Sequence, residues 1–272
     1  MCLIVFSYRM HPKYPLVLAA NRDEYYERPT APIAFWDDAP HLLAGRDLRE
    51  GGTWLGVTKK GRIAALTNYR NPPELKKGAP SRGLLVSSYL CSQEEPLAYL
   101  LKLNAEADQY NGFSMIVGDL NHLYYASNWG CTIELMPGLY GLSNRLLDTP
   151  WPKVEKGKAA LSAILEAADD PHPDDIFQFL SDRTESDDAD LPDTGIDRDW
   201  ERILSAIFIT SPNYGTRSST VIMIDKNNSL TFIEKSFAGA DSENWLTTTF
   251  KFKLNPAKGN KAKGKNHHKT GC

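Results

Sequence analysis

The sequence predicts an α+β fold, a four-layer αββα sandwich of two stacked antiparallel sheets. Three observations predict it. Short apolar runs recur without a polar face, hairpin-length turns join most of them, and the helical signals come in pairs rather than between successive strands. With 42% hydrophobic and 10% aromatic residues over 272 positions, the chain has enough apolar surface for such a core. The same composition excludes collagen-like, fully disordered and disulfide-scaffold chains.

Residues 2–8 are apolar on both faces, a turn region with Pro12 and Pro15 follows, and residues 16–20 are apolar again. This predicts a strand pair covered on both sides. A second pair spans 53–58 and 62–67 around Lys59-Lys60-Gly61. Ser81 is placed to cap a helix over 82–91, and Pro96 opens another with Leu97, Leu100 and Leu101 on one face. Strands return at 113–118, 123–127, 131–135 and 139–142. Helices follow at 153–168, where Leu161, Ile164 and Leu165 align, and at 174–182. Residues 181–200, crowded with Asp and Glu, read as a long surface loop. Strands at 217–225, 229–237 and 245–252 close the chain. No linker or internal repeat divides it, so residues 1–252 are expected to form a single domain.

Charge is unevenly placed. The net charge is −3, yet positions 247–272 hold seven lysines and no acidic residue, which leaves a strongly acidic body. Residues 253–272 lack the apolar content for a core and are expected to be a disordered Lys-rich tail. An acidic body repels phosphate backbones, so no nucleic-acid partner is expected. No apolar run reaches the length of a membrane span, and the N-terminus lacks the pattern of a signal peptide. The four cysteines, Cys2, Cys91, Cys131 and Cys272, lie far apart without a CxxC, so no metal site is predicted and reduced thiols in a cytoplasmic setting are expected.

Cys2 carries the most chemistry. Small second residues permit removal of the initiator methionine, which would leave a sulfur nucleophile and an α-amine base on one residue. Asn21-Arg22-Asp23-Glu24 follows the second apolar run, where a hairpin partner of Cys2 ends. A guanidinium beside the sulfur favours thiolate, and a carboxylate can hold the amine. Asn68 and Asn144 each end a predicted strand, where a side-chain amide serves either as an oxyanion donor or as turn chemistry. Arg217 begins another strand and offers a second cation.

Several segments in one order carry a resemblance: 20–24 (ANRDE), 51–56 (GGTWLG), 67–70 (TNYR), 142–144 (LSN) with 150–153 (PWPK), and 214–218 (YGTRS). Together they resemble the NRDE family, which includes the eukaryotic transport-and-Golgi-organisation type-two proteins. The resemblance implies an N-terminal-nucleophile-hydrolase-like αββα sandwich, more distantly similar to choloylglycine hydrolases and acid-ceramidase-type amidases. It implies Cys2 at the nucleophile position, Arg22 or Asp23 as the assisting pair, Asn68 and Asn144 as oxyanion donors, and Arg217 as a distal arginine. The amidases carry Arg-Asn-x-Asp where this chain has Asn-Arg-Asp-Glu.

Two functions follow from the resemblance. One is cytosolic haem binding and trafficking, a haem chaperone whose cargo passes between haem-donating and haem-accepting proteins. The other is an N-terminal-cysteine amidohydrolase acting on an acyl-amide compound through Cys2, with no catalytic cofactor. For haem, the candidate axial ligands are the cysteines and His11, His41, His122, His172, His267 and His268. No CxxCH is present, so covalent c-type attachment is excluded.

Overall fold

Runs that are apolar on both faces become central strands. In the computed structural model, which describes residues 2–239 and 241–256, these are β1 (Cys2–Tyr8), β2 (Leu16–Tyr25), β5 (Leu55–Thr58), β6 (Ile63–Asn68), β7 (Phe113–Gly118) and β11 (Tyr214–Ile224). The other strands are β3 (Thr30–Trp36), β4 (Ala39–Asp47), β8 (Leu123–Ser127), β9 (Ile133–Glu134), β10 (Gly138–Leu142), β12 (Ser229–Ala238) and β13 (Asp241–Lys253). They form a six-stranded sheet, β10-β1-β2-β11-β12-β13, and a seven-stranded sheet, β3-β4-β5-β6-β7-β8-β9. The β1–β2, β2–β11 and β6–β7 pairings at their centres are antiparallel.

The layers follow from which face each side chain leaves. Ile4, Phe6 and Leu18 meet Leu43, Val57 and Ile116 between the sheets. Outside the seven-stranded sheet lie α1 (Gly83–Cys91) and α2 (Pro96–Glu106), which seat Tyr89, Leu90 and Leu100 on Ala64, Met115 and Val117. Below the six-stranded sheet, α3 (Pro152–Ala167) and α4 (Pro173–Leu180) place Val154, Leu161 and Ile176 against Leu3, Val5, Val17 and Ala19. The architecture is therefore the expected αββα sandwich. Each buried Leu, Ile or Phe contributes about 1.5–3 kcal/mol, and this sets the order of the layers.

Several elements differ from expectation. The strand expected at 16–20 runs on to Tyr25, so the Asn21–Glu24 segment is strand and not turn. The Asn21 side chain is satisfied there: its amide donates to Leu180 O and Ile207 O at 2.8 and 2.9 Å, and Ser219 Oγ donates to its Oδ1 at 2.6 Å. The β3–β4 hairpin escaped the sequence pattern because register shifts after Ala31 and Phe35 break its alternation. The acidic stretch 181–200 ends in a fifth helix, α5 (Arg198–Ser205), where the Asp197 side chain accepts from the Asp199 N–H. α1 begins without a side-chain cap, so Ser81 does not play that part. Cys2 and Cys91 are free thiols, whereas Cys131 is disulfide-bonded, which the cysteine spacing did not indicate. From residue 257 onward the expected Lys-rich tail lies outside the described residues.

Candidate functional site

Strand alternation builds the site. On β1 and β2 the side chains of Ile4, Phe6, Leu18 and Ala20 face the other sheet, and Leu3, Val5, Val17 and Ala19 face the helices. The register pairs Cys2 directly with Arg22. By the same alternation Cys2, Arg22 and Glu24 belong to the inter-sheet face, while Asn21 and Asp23 belong to the helix face. At this end of the sandwich the inter-sheet space opens into a cavity of about 1050 Å³ whose walls include Cys2, Arg22, Asp23, Glu24, Asn68 and Arg217.

Cys2 is half-buried on the cavity, and its thiol pKa is raised. Burial is the main cause, with the negative charge of Asp23 adding to it and the Arg22 guanidinium opposing it. Its backbone N–H donates to Asn144 Oδ1 at 3.2 Å, and Asn144 Nδ2 donates to Asn68 O at 2.8 Å. Asn144 takes φ 49°, the left-handed region that asparagine tolerates. The Asn144 oxygen thus holds the backbone of the second residue, and one of the two N–H donors of its amide is given to Asn68 O. The Asn68 side chain is exposed on the cavity wall.

Arg22 and Arg217 share the cavity wall with Cys2. Arg22 is only 8% exposed and meets Glu24 at 3.6 Å, yet its Nη1 is buried without a hydrogen-bond partner. Arg217 is the extra residue of a β-bulge, since Thr216 pairs with Asp23 and Ser218 with Arg22. Its Nη1 donates to Tyr25 O and Arg28 O at 2.9 and 3.0 Å, while its Nε is buried and unpartnered. Burial and the nearby Arg22 hold the Arg217 pKa down.

Sequence reasoning missed two charged residues of the cavity wall and one buried charge outside it. Arg82 lines the cavity and donates to Gly112 O at 2.7 Å, and burial pulls its pKa down to about 10. It is carried there by a close crossing: a Cβ on Gly52 would lie 2.5 Å from the Gly83 carbonyl carbon, so the Gly51-Gly52 segment signals this approach. Glu234 of β12 accepts from the Ile33 N–H of β3 at 3.0 Å and from Ser236 Oγ at 3.1 Å, clasping the two sheets at the cavity wall. Lys153 of α3 is buried beneath the six-stranded sheet. Nothing in a single charged letter within Trp151-Pro152-Lys153-Val154 announces its burial.

Asp23 is buried, accepts from Thr216 Oγ1 at 2.7 Å, and has a carboxyl pKa pushed up by that burial. The histidines lie elsewhere. His11 contacts Ala168 O, His122 contacts Glu134 and His172 caps α4, and none of these or His41 lines the cavity. His267 and His268 fall outside the described residues. Among the described residues no cluster of three or more His, Cys, Asp or Glu could hold a metal ion. No helix among them is long and apolar enough to cross a membrane.

Two stacked antiparallel sheets between helix layers, with a cysteine at the second residue and an arginine-lined cavity at one end of the inter-sheet core, define the class of fold, an αββα sandwich. Within it, the chain belongs to the Transport and Golgi organisation 2 family, whose profile matches residues 1–239. The cattle Transport and Golgi organization protein 2 homolog is 42% identical over 93% of this chain and 99% of its own length. The human homolog is 38% identical over the same shares, and the Drosophila melanogaster protein is 29% identical over 89% of this chain and 94% of its own. Two solved structures align at 8% identity. The Caenorhabditis elegans N-acylethanolamine-hydrolyzing acid amidase ortholog has a TM-score of 0.45 over 81% of this chain and 92% of its own. The C2A mutant of the Clostridium perfringens conjugated bile acid hydrolase has 0.48 over 98% and 99%.

Burial raises the Glu234 pKa above that of an ordinary glutamate. A folded-state pKa above the unfolded one means that stability is full below the unfolded value and falls as pH rises through the folded one. Glu234→Gln keeps an acceptor for the Ile33 N–H and removes that slope. Thermal melting should show the variant gaining on the wild type as pH rises from 4.5 towards neutrality. A melting difference that stays flat would contradict this.

Proposed function

We propose that the chain is a ligand-binding and trafficking protein whose cavity takes a small amphipathic anion, with haem as the cargo and haem-donating and haem-accepting proteins as partners in the cytoplasm. The observation that carries this reading is the pair of buried guanidinium nitrogens without partners, Arg22 Nη1 and Arg217 Nε, on residues of the cavity wall. Unpaired buried donors of this kind are costly, and an incoming carboxylate would satisfy both. Trp54, Phe237, Trp245 and Leu246 on the same wall supply apolar surface. Haem matches the combination, with propionates for the arginines and a broad apolar ring for the aromatic wall. Cys2 is the candidate axial ligand that lines the cavity.

Haemin added to the purified protein should give a Soret shift, and the loaded protein should pass haem to an apo-acceptor. Arg22→Met should weaken binding about tenfold or more. A featureless difference spectrum would overturn the haem reading.

A second reading, an N-terminal-cysteine amidohydrolase, is favoured by the Cys2–Asn144 hydrogen bond beside an exposed Asn68 amide. With Met1 removed, Cys2 Sγ would attack an amide carbonyl while the freed α-amine takes the thiol proton. The amine product would leave with that proton, and water would release the acyl group from sulfur. Burial keeps the thiol protonated, so the amine is required as base. Intact mass should then lack Met1, and Cys2→Ala should abolish turnover of acyl amides. A retained Met1, or turnover unchanged in Cys2→Ala, rules the reading out.

A further inference from the structure

Glu24 is a charge on the cavity wall that neither reading uses. It leaves β2 on the inter-sheet face two residues beyond Arg22, so carboxylate and guanidinium lie side by side along one strand. Glu24 Oε1 accepts from the Tyr25 N–H at 2.9 Å. Its Oε2 lies 3.6 Å from Arg22 Nη2 and 3.8 Å from Arg28 Nε.

Both distances are those of charge contact and exceed the reach of a hydrogen bond, about 3.2 Å. Arg28 is committed elsewhere, since its Nη2 and Nε donate to Asp47 Oδ2 at 2.5 and 3.1 Å. Arg22 keeps Nη1 buried and without a partner. Glu24 therefore balances the charge of Arg22 without filling its donors. An anion entering the cavity meets two opposed conditions. The unfilled guanidinium favours it, because a charge-assisted bond of normal length replaces a longer contact. The Glu24 carboxylate disfavours it, because two like charges would then share one cation. About a quarter of the Glu24 side chain is exposed, so its carboxylate has water to turn to, whereas Arg22 is buried.

We propose that Glu24 is the resident counter-anion of the cavity: an anionic cargo binds by displacing its carboxylate from Arg22, and the return of that carboxylate assists release. Glu24 is thereby a specificity-determining residue. It admits anions that bond Arg22 more closely than it does itself, and it turns away those that cannot. The inference rests on the cavity being an anion-binding site, but not on haem being the anion.

The test uses the full chain and two fluorescent probes of similar ring size, anionic anilinonaphthalene sulfonate and neutral N-phenylnaphthylamine, at one ionic strength. Glu24→Gln keeps an acceptor for the Tyr25 N–H and removes the charge. It should bind the anionic probe about fivefold more tightly than the wild type, mainly through slower release, and the neutral probe within about twofold. Adding Arg22→Met should cancel the gain. Glu50→Gln neutralises another carboxylate of the wall and should change binding of the anionic probe by less than about twofold, which separates displacement at Arg22 from a general effect of charge. No gain in folded Glu24→Gln overturns the proposal, as does a gain that survives Arg22→Met or is matched by Glu50→Gln. Should Glu24→Gln fail to fold, Glu24→Ala carries the same expectations. Haemin decides separately: a featureless haemin spectrum beside an Arg22-dependent gain for the probe removes haem as the cargo and leaves Glu24 in this role.

Discussion

The register between β1 and β2 is the constraint on which the site depends. Cys2 stands opposite Arg22, and because side chains alternate, a slip of one residue would exchange every group between the cavity and the helix face. Apolar residues fix that register from both sides: Ile4, Phe6 and Leu18 are committed to the inter-sheet core, Leu3, Val5 and Val17 to α3 and α4. Asn21 locks it further, because its amide is the partner of two carbonyls beneath the sheet. A slipped strand would drive the Arg22 guanidinium into that apolar layer, at the cost of an uncompensated buried charge.

The same alternation sorts the charges. Arg22 and Glu24 stay with the cavity, Asp23 accepts from Thr216, and the bulge at Arg217 lets a residue from the next strand reach the mouth. Adjacent residues of one tetrapeptide thereby serve two environments. The cavity keeps cations with unmet hydrogen-bonding capacity, and the Asp23 carboxyl is buried against the Thr216 hydroxyl.

How much of this was legible in the sequence depends on whether a residue's role is local. Two-faced apolar strands and paired helices announce the αββα layers, since burial on both faces leaves no polar alternation. Cys2, Arg22, Asp23, Asn68 and Arg217 could be nominated because each carries chemistry and lies near a strand end, and the structure gathers them around one cavity. The bond from the Cys2 N–H to the Asn144 oxygen joins residues 142 positions apart, and no local window shows that pairing. Lys153 and Arg82 were not nominated: their burial is created by α3 and by the Gly52–Gly83 crossing, and neither is visible in a local window. The β3–β4 hairpin was lost because its register shifts erase the period of two.

Cross-linking of the strand pair tests the central claim most directly. Arg22→Cys and Asp23→Cys can be oxidised separately and their disulfides mapped by peptide mass spectrometry. If Cys2 and Arg22 share a face and a register, the thiol introduced at position 22 bonds to Cys2 and the one at position 23 does not. A bond from position 23, or none from a folded Arg22→Cys protein, would contradict the account.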